Sequence, residues 1–156
     1  MFQTTSHKCH PKMLAVAVLL VCPLLCFSRP SQQLPPRLQG VAVKGHLKCG
    51  KMNLIGAKVK LVDLDDRPDM DDLLAETYTD NEGKFQLNGA TREADEIRTI
   101  IKVYHDCNDG NRPCQRKTVW HVPNLYHHSG KVHEWFDVGT VNMEVILGNE
   151  ERDCRH

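Results

Sequence analysis

From Gly40 to Leu147 apolar residues recur at every second position, and this period constrains the fold more than any other feature of the chain. Side chains alternate across a strand but repeat every 3.6 residues in a helix, so a two-residue period reads as strand with one face buried. Val41, Val43 and Leu47 fall on one side of the first run, with Ala42, Lys44, His46 and Lys48 on the other. In AKVKLVDLD, Val59 and Leu61 alternate with Lys58 and Lys60. LLAETYT follows, then a short FQL after the turn Asp80-Asn81-Glu82-Gly83. IRTIIKVYHDC carries Ile97, Ile101 and Val103 on one face. Further apolar rows are Thr118/Trp120/Val122, Val132/Phe136/Val138 and Val141/Met143/Val145/Leu147. Eight short runs separated by Gly, Pro, Asn and Asp predict an all-β antiparallel sandwich of two sheets with seven to eight strands. Asp69 to Glu76 is expected to be an acidic loop entering a strand, and a brief helix is admissible near Thr91 to Glu96.

The first 28 residues follow other rules. Met1 to Lys12 is polar and weakly basic, and Met13 to Phe27 then runs MLAVAVLLVCPLLCF without a charge. A basic start, an apolar stretch and a short polar exit are the pattern of a secretory signal peptide. A membrane anchor needs about 20 apolar residues, and this run is shorter and holds Pro23. Residues 1–28 are therefore expected to be a signal peptide, 29–39 a flexible segment and 40–156 the folded domain. The mature protein is expected to be extracellular, without a transmembrane segment.

Cleavage changes the cysteine count. Cys9, Cys22 and Cys26 leave with the signal peptide, and Cys49, Cys107, Cys114 and Cys154 remain, an even number suited to an oxidising compartment. Four cysteines allow three pairings. The turn-formers Asn108, Asp109, Gly110 and Pro113 between Cys107 and Cys114 favour that pair, which would leave Cys49 with Cys154. Zinc held by four cysteines would need close C-x-x-C pairs, which are missing.

The whole chain has 20 basic and 20 acidic side chains, and losing Lys8 and Lys12 leaves a net charge of −2. Nothing here favours nucleic acid as a partner. No N-x-S/T sequon occurs.

These runs, in this order, resemble the transthyretin-like family, an extracellular group expanded in nematodes. The residues that carry the resemblance are GVAVKGHLKCGK, AKVKLVDLD, PDMDDLLAETYTDNEGKFQLNG, IKVYHDCN, Cys114, FDVGTVNMEV and the ending GNEERDC. The resemblance implies a secreted, disulfide-bonded, transthyretin-type sandwich and leaves activity open, because fold does not fix function. The same fold carries 5-hydroxyisourate hydrolase, and His121-Val122-Pro123 is similar to that enzyme's His-Val-Pro run. The chain ends Asp153-Cys154-Arg155-His156 rather than in the enzyme's Tyr-Arg-Gly-Ser, and the surroundings of His46 do not recreate its N-terminal histidine motif. No enzyme activity, cofactor or catalytic residue is expected, and hormone transport through a paired-dimer channel is not expected either.

Candidate binding residues come from exposure arguments. Phe136 on the core side puts Trp135 outward, where an aromatic is a standard contact residue, and Tyr126 lies near it in sequence. Asp63, Asp65, Asp66, Asp69, Asp71 and Asp72 place six carboxylates in ten residues. Of these, Asp69, Asp71 and Asp72 are expected to meet a cationic partner if there is one. The EF-hand pattern is absent. His121, His127, His128 and His133 could hold zinc or copper if three nitrogens converged. Neighbours in a strand face opposite ways, so His127 and His128 could converge only in a loop; NLYHHSG reads as a loop, where solvated histidines are the commoner outcome, and no metal site is expected. The sequence reads as an extracellular binding module for a cell-surface protein, a lipid headgroup or a small apolar molecule. The competing reading is a secretory product without a dedicated ligand. Edge strands leave a homodimer open.

Overall fold

The first sheet is built on β1, Arg37–Cys49, the longest strand in the computed structural model, which describes residues 35–65 and 70–155. The expected signal peptide and Asp69 lie outside the described residues. One edge of β1 pairs antiparallel with β5, Lys84–Glu93, from Arg37–Glu93 to His46–Lys84. The short β2, Met52–Asn53, pairs with its end. The other edge takes β8, His128–Ser129, antiparallel, and then β9, Trp135–Asn142, in parallel. The second sheet is antiparallel throughout, in the order β10 (Glu151–Asp153), β7 (Gln115–His121), β6 (Thr99–His105), β3 (Lys58–Asp63), β4 (Asp72–Tyr78).

The all-β two-sheet sandwich holds, with seven longer strands and three of two or three residues among the described residues. Four details differ from the sequence reading. The β1–β9 pair is parallel, because the chain reverses between Gly130 and Glu134 after β8, and alternation does not encode a neighbour's direction. KVHEWFDVG and TVNMEVIL form one strand that stops at Asn142. There the Asn142 side chain accepts from Gly50 N at 2.9 Å and Glu144 N at 3.1 Å, and Val145 emerges exposed. FQL extends to ten residues, and Thr91–Glu93 stays in that strand rather than turning helical, because Arg37–Gln39 supply its partner. Those three partner residues belong to the segment expected to be flexible. Gln39 is instead buried, its amide donating to the Asp95 carbonyl at 2.5 Å.

The core is made by the facing rows the alternation marks. Val41, Val43 and Leu47 of β1 and Phe85 and Leu87 of β5 meet Val59 and Leu61 of β3 and Ile101 and Val103 of β6. Met143 and Val122 join this cluster, and Trp120, Phe136 and Val138 pack against it. The connection between sheets from β4 to β5 is fixed locally. Asp80 Oδ1 accepts from Glu82 N (2.8 Å) and Lys84 N (2.9 Å), and Gly83 takes φ +74°. A side chain at Gly83 would also strike the Leu47 carbonyl, so glycine is required there on two counts.

The disulfides correct the favoured pairing. Cys49 bonds to Cys107 (Cα–Cα 5.6 Å) and Cys114 to Cys154 (4.4 Å). Although Cys107 and Cys114 flank one hairpin loop, the residues beside them point them to different partners. Cys107 turns into the core at the end of β1. Cys114 precedes Gln115, which pairs with Asp153, so β10 delivers Cys154 directly to it.

Candidate binding surface

The two outer faces of the sandwich differ in kind. On the second sheet Glu76 bridges Lys58 and Lys60 at 3.4 Å each, Lys102 meets Asp71 at 3.5 Å, and Lys117 pairs with Asp153 at 3.3 Å and with Glu151. Lys58 and Lys60 also stand over the rings of Tyr78 and Tyr104. Cross-strand pairs of opposite charge thus tile this face and satisfy it internally.

The first sheet's outer face carries small residues. Counting outward positions from the buried Val41 and Val43 gives Gly40 and Ala42 on β1 and their partners Ala90 and Asn88 on β5. Val132, from the loop between β8 and β9, reaches over them, 3.2 Å from where a Cβ on Gly40 would stand. Ala42 lies opposite Trp135. The result is an open hollow of about 570 Å³ lined by Ala42, Asn88, Ala90, Val132 and Trp135 and, at the β5 edge, by Leu74 of β4, with Lys131 and Gly89 completing it. Small side chains leave the depression, Trp135 forms one wall, and Lys131 and Asn88 supply the polar groups. Farther along the face, around His46, the surface turns polar. His46 lies 3.2 Å from Asn53 Oδ1 and 3.3 Å from Thr140 Oγ1, and Lys44 pairs with Asp137 at 3.4 Å.

Trp135 is 37% exposed and stands on this face. Tyr126 does not share it. The Tyr126 ring packs 5.0 Å from Phe136 and against the core, on the other side of the sheet from Trp135. Asp71 and Asp72 are exposed at the start of β4 on the second sheet, with Asp71 paired to Lys102. Asp63 is buried and accepts from Arg98 N at 2.7 Å, and burial raises its carboxyl above the usual range. Asp63 stands directly opposite Asp72 in the β3–β4 pair, and among the described residues no group of three His, Cys, Asp or Glu side chains is placed to hold a metal. His121 faces solvent on the second sheet and His46 lies on the first, so the two histidines are not brought together. The sequence reading did not single out Ala90 or Lys131, and it set Val132 in one row with Phe136 and Val138, whereas Phe136 and Val138 pack against the core and Val132 lies over Gly40 on the outer face. The only signal for this placement was the run of small outward residues at Gly40 and Ala42, which means nothing until β5 and the 130–134 loop are placed beside it.

A profile of the transthyretin-like family matches residues 44–123. The chain belongs to that family. Transthyretin-like protein 33 of Caenorhabditis elegans is 45% identical over 119 residues, covering 76% of this chain and 83% of that protein. Transthyretin-like protein 46 is 44% identical over 119 residues, covering 75% and 66%, and transthyretin-like protein 5 is 38% identical over 134 residues, covering 85% and 96%, both from the same organism. A solved 9R-lipoxygenase from Cyanothece overlays 75% of this chain and 17% of its own at 19% identity and a TM-score of 0.39, too little to carry an argument.

In this transthyretin-like domain the residues that carried the resemblance are mostly ties. TDNEG makes the Asp80–Gly83 turn. In the closing ERDC, Arg152 grips Asp109 through both guanidinium arms and donates to the Cys114 carbonyl at 2.9 Å, while Cys154 closes the disulfide. The Arg152 guanidinium holds the Asp109 carboxyl below its ordinary value. Beside them Arg116 engages every donor it has. It binds Glu150 twice at 2.7 Å, the carbonyls of Cys107 (2.6 Å) and Met143 (2.9 Å), and Val145 O at 3.1 Å. Hydrogen bonding from Arg116 holds Glu150 low. In the hollow near these groups, Arg116 is thus paired with Glu150 and Arg152 with Asp109.

Proposed function

We propose that this transthyretin-like chain is a secreted extracellular binding module that engages its partner through the outer face of the first sheet around Trp135. One observation carries the reading. Charge pairs satisfy the second sheet's outer face, whereas the first sheet's face offers an apolar hollow walled by a half-exposed tryptophan. Aromatic anchors on a rigid sheet are the residues that dominate protein contacts. The hollow is open rather than enclosed, which suits an apolar side chain of a cell-surface protein better than a small apolar molecule, since small-molecule sites bury most of their ligand. Lys131 at the rim would meet an acidic group, such as a lipid headgroup or a carboxylate of the partner. Secretion is supported by the leader pattern in the first 28 residues and by four cysteines paired as two disulfides. A non-enzymatic role is supported by the relatives' names and by the separation of His46 from His121.

The test is retention of the mature domain, Arg29 to His156, on immobilised cell-surface protein and on vesicles carrying different headgroups. Trp135→Ala should weaken binding at least tenfold, a hot-spot loss. Tyr78→Ala, an aromatic still more exposed but on the charge-paired face, should leave it unchanged. Equal loss in both, or no retention of the parent domain, would remove this reading and favour a secretory product without a dedicated ligand.

A further inference from the structure

The outward row of the first sheet continues past the hollow toward the start of β1. Leu38 pairs with Arg92 and Gly40 with Ala90, and side chains two apart on a strand share a face. Leu38 and Arg92, both exposed, therefore stand on the same side as Ala42 and Trp135. On the other edge of β1 the chain turns at Gly130, whose N donates to the Leu38 carbonyl at 2.9 Å. Lys131 follows, exposed, on the wall of the hollow. Beside this turn His128, opposite Gly40, meets His133 edge to face with ring centroids 5.8 Å apart. Strands lie about 4.8 Å apart, so Arg92 and Lys131 flank Leu38 about 10 Å from one another. Neither side chain has a hydrogen-bond or ion-pair partner among the described residues. By contrast, Lys58, Lys60, Lys102 and Lys117 on the second sheet are all paired with carboxylates, and farther along the first sheet Lys44 is paired with Asp137.

We propose that the first sheet's outer face receives an acidic segment of a partner protein, whose apolar side chain enters the hollow beside Trp135 and whose carboxylates reach Arg92 and Lys131. The inference rests on the contact surface proposed above and adds the chemistry and direction of what covers it. Lys131 is the one charged side chain that lines the hollow, so no carboxylate among the lining residues opposes an incoming acid. Arg92 and Lys131 both lie at the Leu38 end, whereas Trp135 stands opposite Ala42, farther along β1. The segment's acids therefore lie to the Leu38 side of its apolar anchor. Arg92 can hold a carboxylate through two parallel hydrogen bonds, and Lys131 acts as a point charge. Rim cations of this kind set association rate and register, while the desolvated anchor carries most of the affinity. Shape favours a protein over a lipid surface. A hollow accepts a side chain that projects from its partner, and Trp135 is a wall of that hollow rather than a projecting tip.

The experiment is retention of the mature protein on two immobilised peptide libraries. Each peptide carries one Leu, Phe or Trp, flanked by Asp and Glu in the first library and by Asn and Gln in the second. The acidic library should retain the parent about tenfold more strongly, and added salt should shrink the difference by shortening the screening length. Arg92→Glu and Lys131→Glu should each remove about fivefold of that preference. Lys51→Glu, at an exposed lysine beyond the far end of β1, should not. Arg92 and Lys131 are exposed, so their variants should keep the parent's thermal midpoint, which separates lost contact from misfolding. Trp135→Ala should lose retention on both libraries. Retention that falls in Trp135→Ala but ignores peptide acidity and both charge reversals would overturn this inference and leave the contact surface standing. Retention unaffected by Trp135→Ala would remove the contact surface and this inference with it. No retention of the parent on either library would also overturn it, and binding instead to phosphatidylglycerol vesicles, lost in Arg92→Glu, would assign the same cations to a membrane.

Discussion

His105 and Arg116 show how much one buried polar residue fixes here. His105 is 2% exposed, its Nδ1 accepts from Cys107 N at 3.2 Å, and its Nε2 has no partner among the described residues. Burial, aided by the Arg116 charge, lowers its pKa to about 4. The unfolded chain protonates this ring near its ordinary value of ~6.5, whereas the folded state resists protonation. Below that pH the unfolded state binds more protons, so stability is full above it, falls as pH drops toward about 4, and levels off there. The loss expected across that window is roughly 2–4 kcal/mol, because each tenfold difference in proton affinity between the two states is worth about 1.4 kcal/mol. Urea midpoints from neutral to acid pH should show this slope in the parent and a much flatter one in His105→Asn, whose side-chain oxygen can still accept from Cys107. Arg116 falls on the inward row with Thr118 and Trp120, where a charge must be paired. Arg116→Ala should cost about 3–5 kcal/mol, because it strands the Glu150 carboxylate, and chemical denaturation would measure it. A much smaller loss would mean that Glu150 escapes to solvent.

At the scale of elements, the β6–β7 connection joins the ends of both sheets. Its first cysteine, Cys107, ties to the end of β1, and its last, Cys114, ties to β10. Non-reducing peptide mapping should recover Cys49–Cys107 and Cys114–Cys154, and recovery of a Cys107–Cys114 peptide would refute this arrangement. The bridges close loops of separation 58 and 40. In the chain-entropy account each stabilises the fold by about 4 kcal/mol. The double variant Cys114→Ser with Cys154→Ser should therefore lower the denaturant midpoint without a change of fold, because the Arg152–Asp109 pair still ties β10 to the 107–114 loop. Circular dichroism would report the retained strands.

The whole molecule distributes its work unequally between its two outer faces. The second sheet's lattice of lysines and carboxylates is solvent-screened, and exposed ion pairs contribute little to stability. Glu76→Gln should leave the urea midpoint nearly unchanged even though Glu76 touches two lysines. Trp135 neither belongs to the core cluster nor packs against it, so Trp135→Ala should fold normally and lose only binding. If Trp135→Ala unfolds the domain, the tryptophan is a packing residue and the contact-surface reading loses its anchor.

Period-two alternation determined the all-β class and nearly every core residue, because burial of one strand face is a local property of the residue order. Val41, Val43, Val59, Leu61, Ile101 and Val103 were all legible in this way and are all fully buried. The outward aromatic at Trp135 followed from the same alternation. Only the tertiary structure decided the direction of β9 against β1, the cysteine pairing, and the meeting of His128 with His133. It also decided the separation of Tyr126 from Trp135 and the hollow beside the latter. These depend on which distant strands become neighbours, and an alternating sequence specifies the face each residue takes without naming what lies across it.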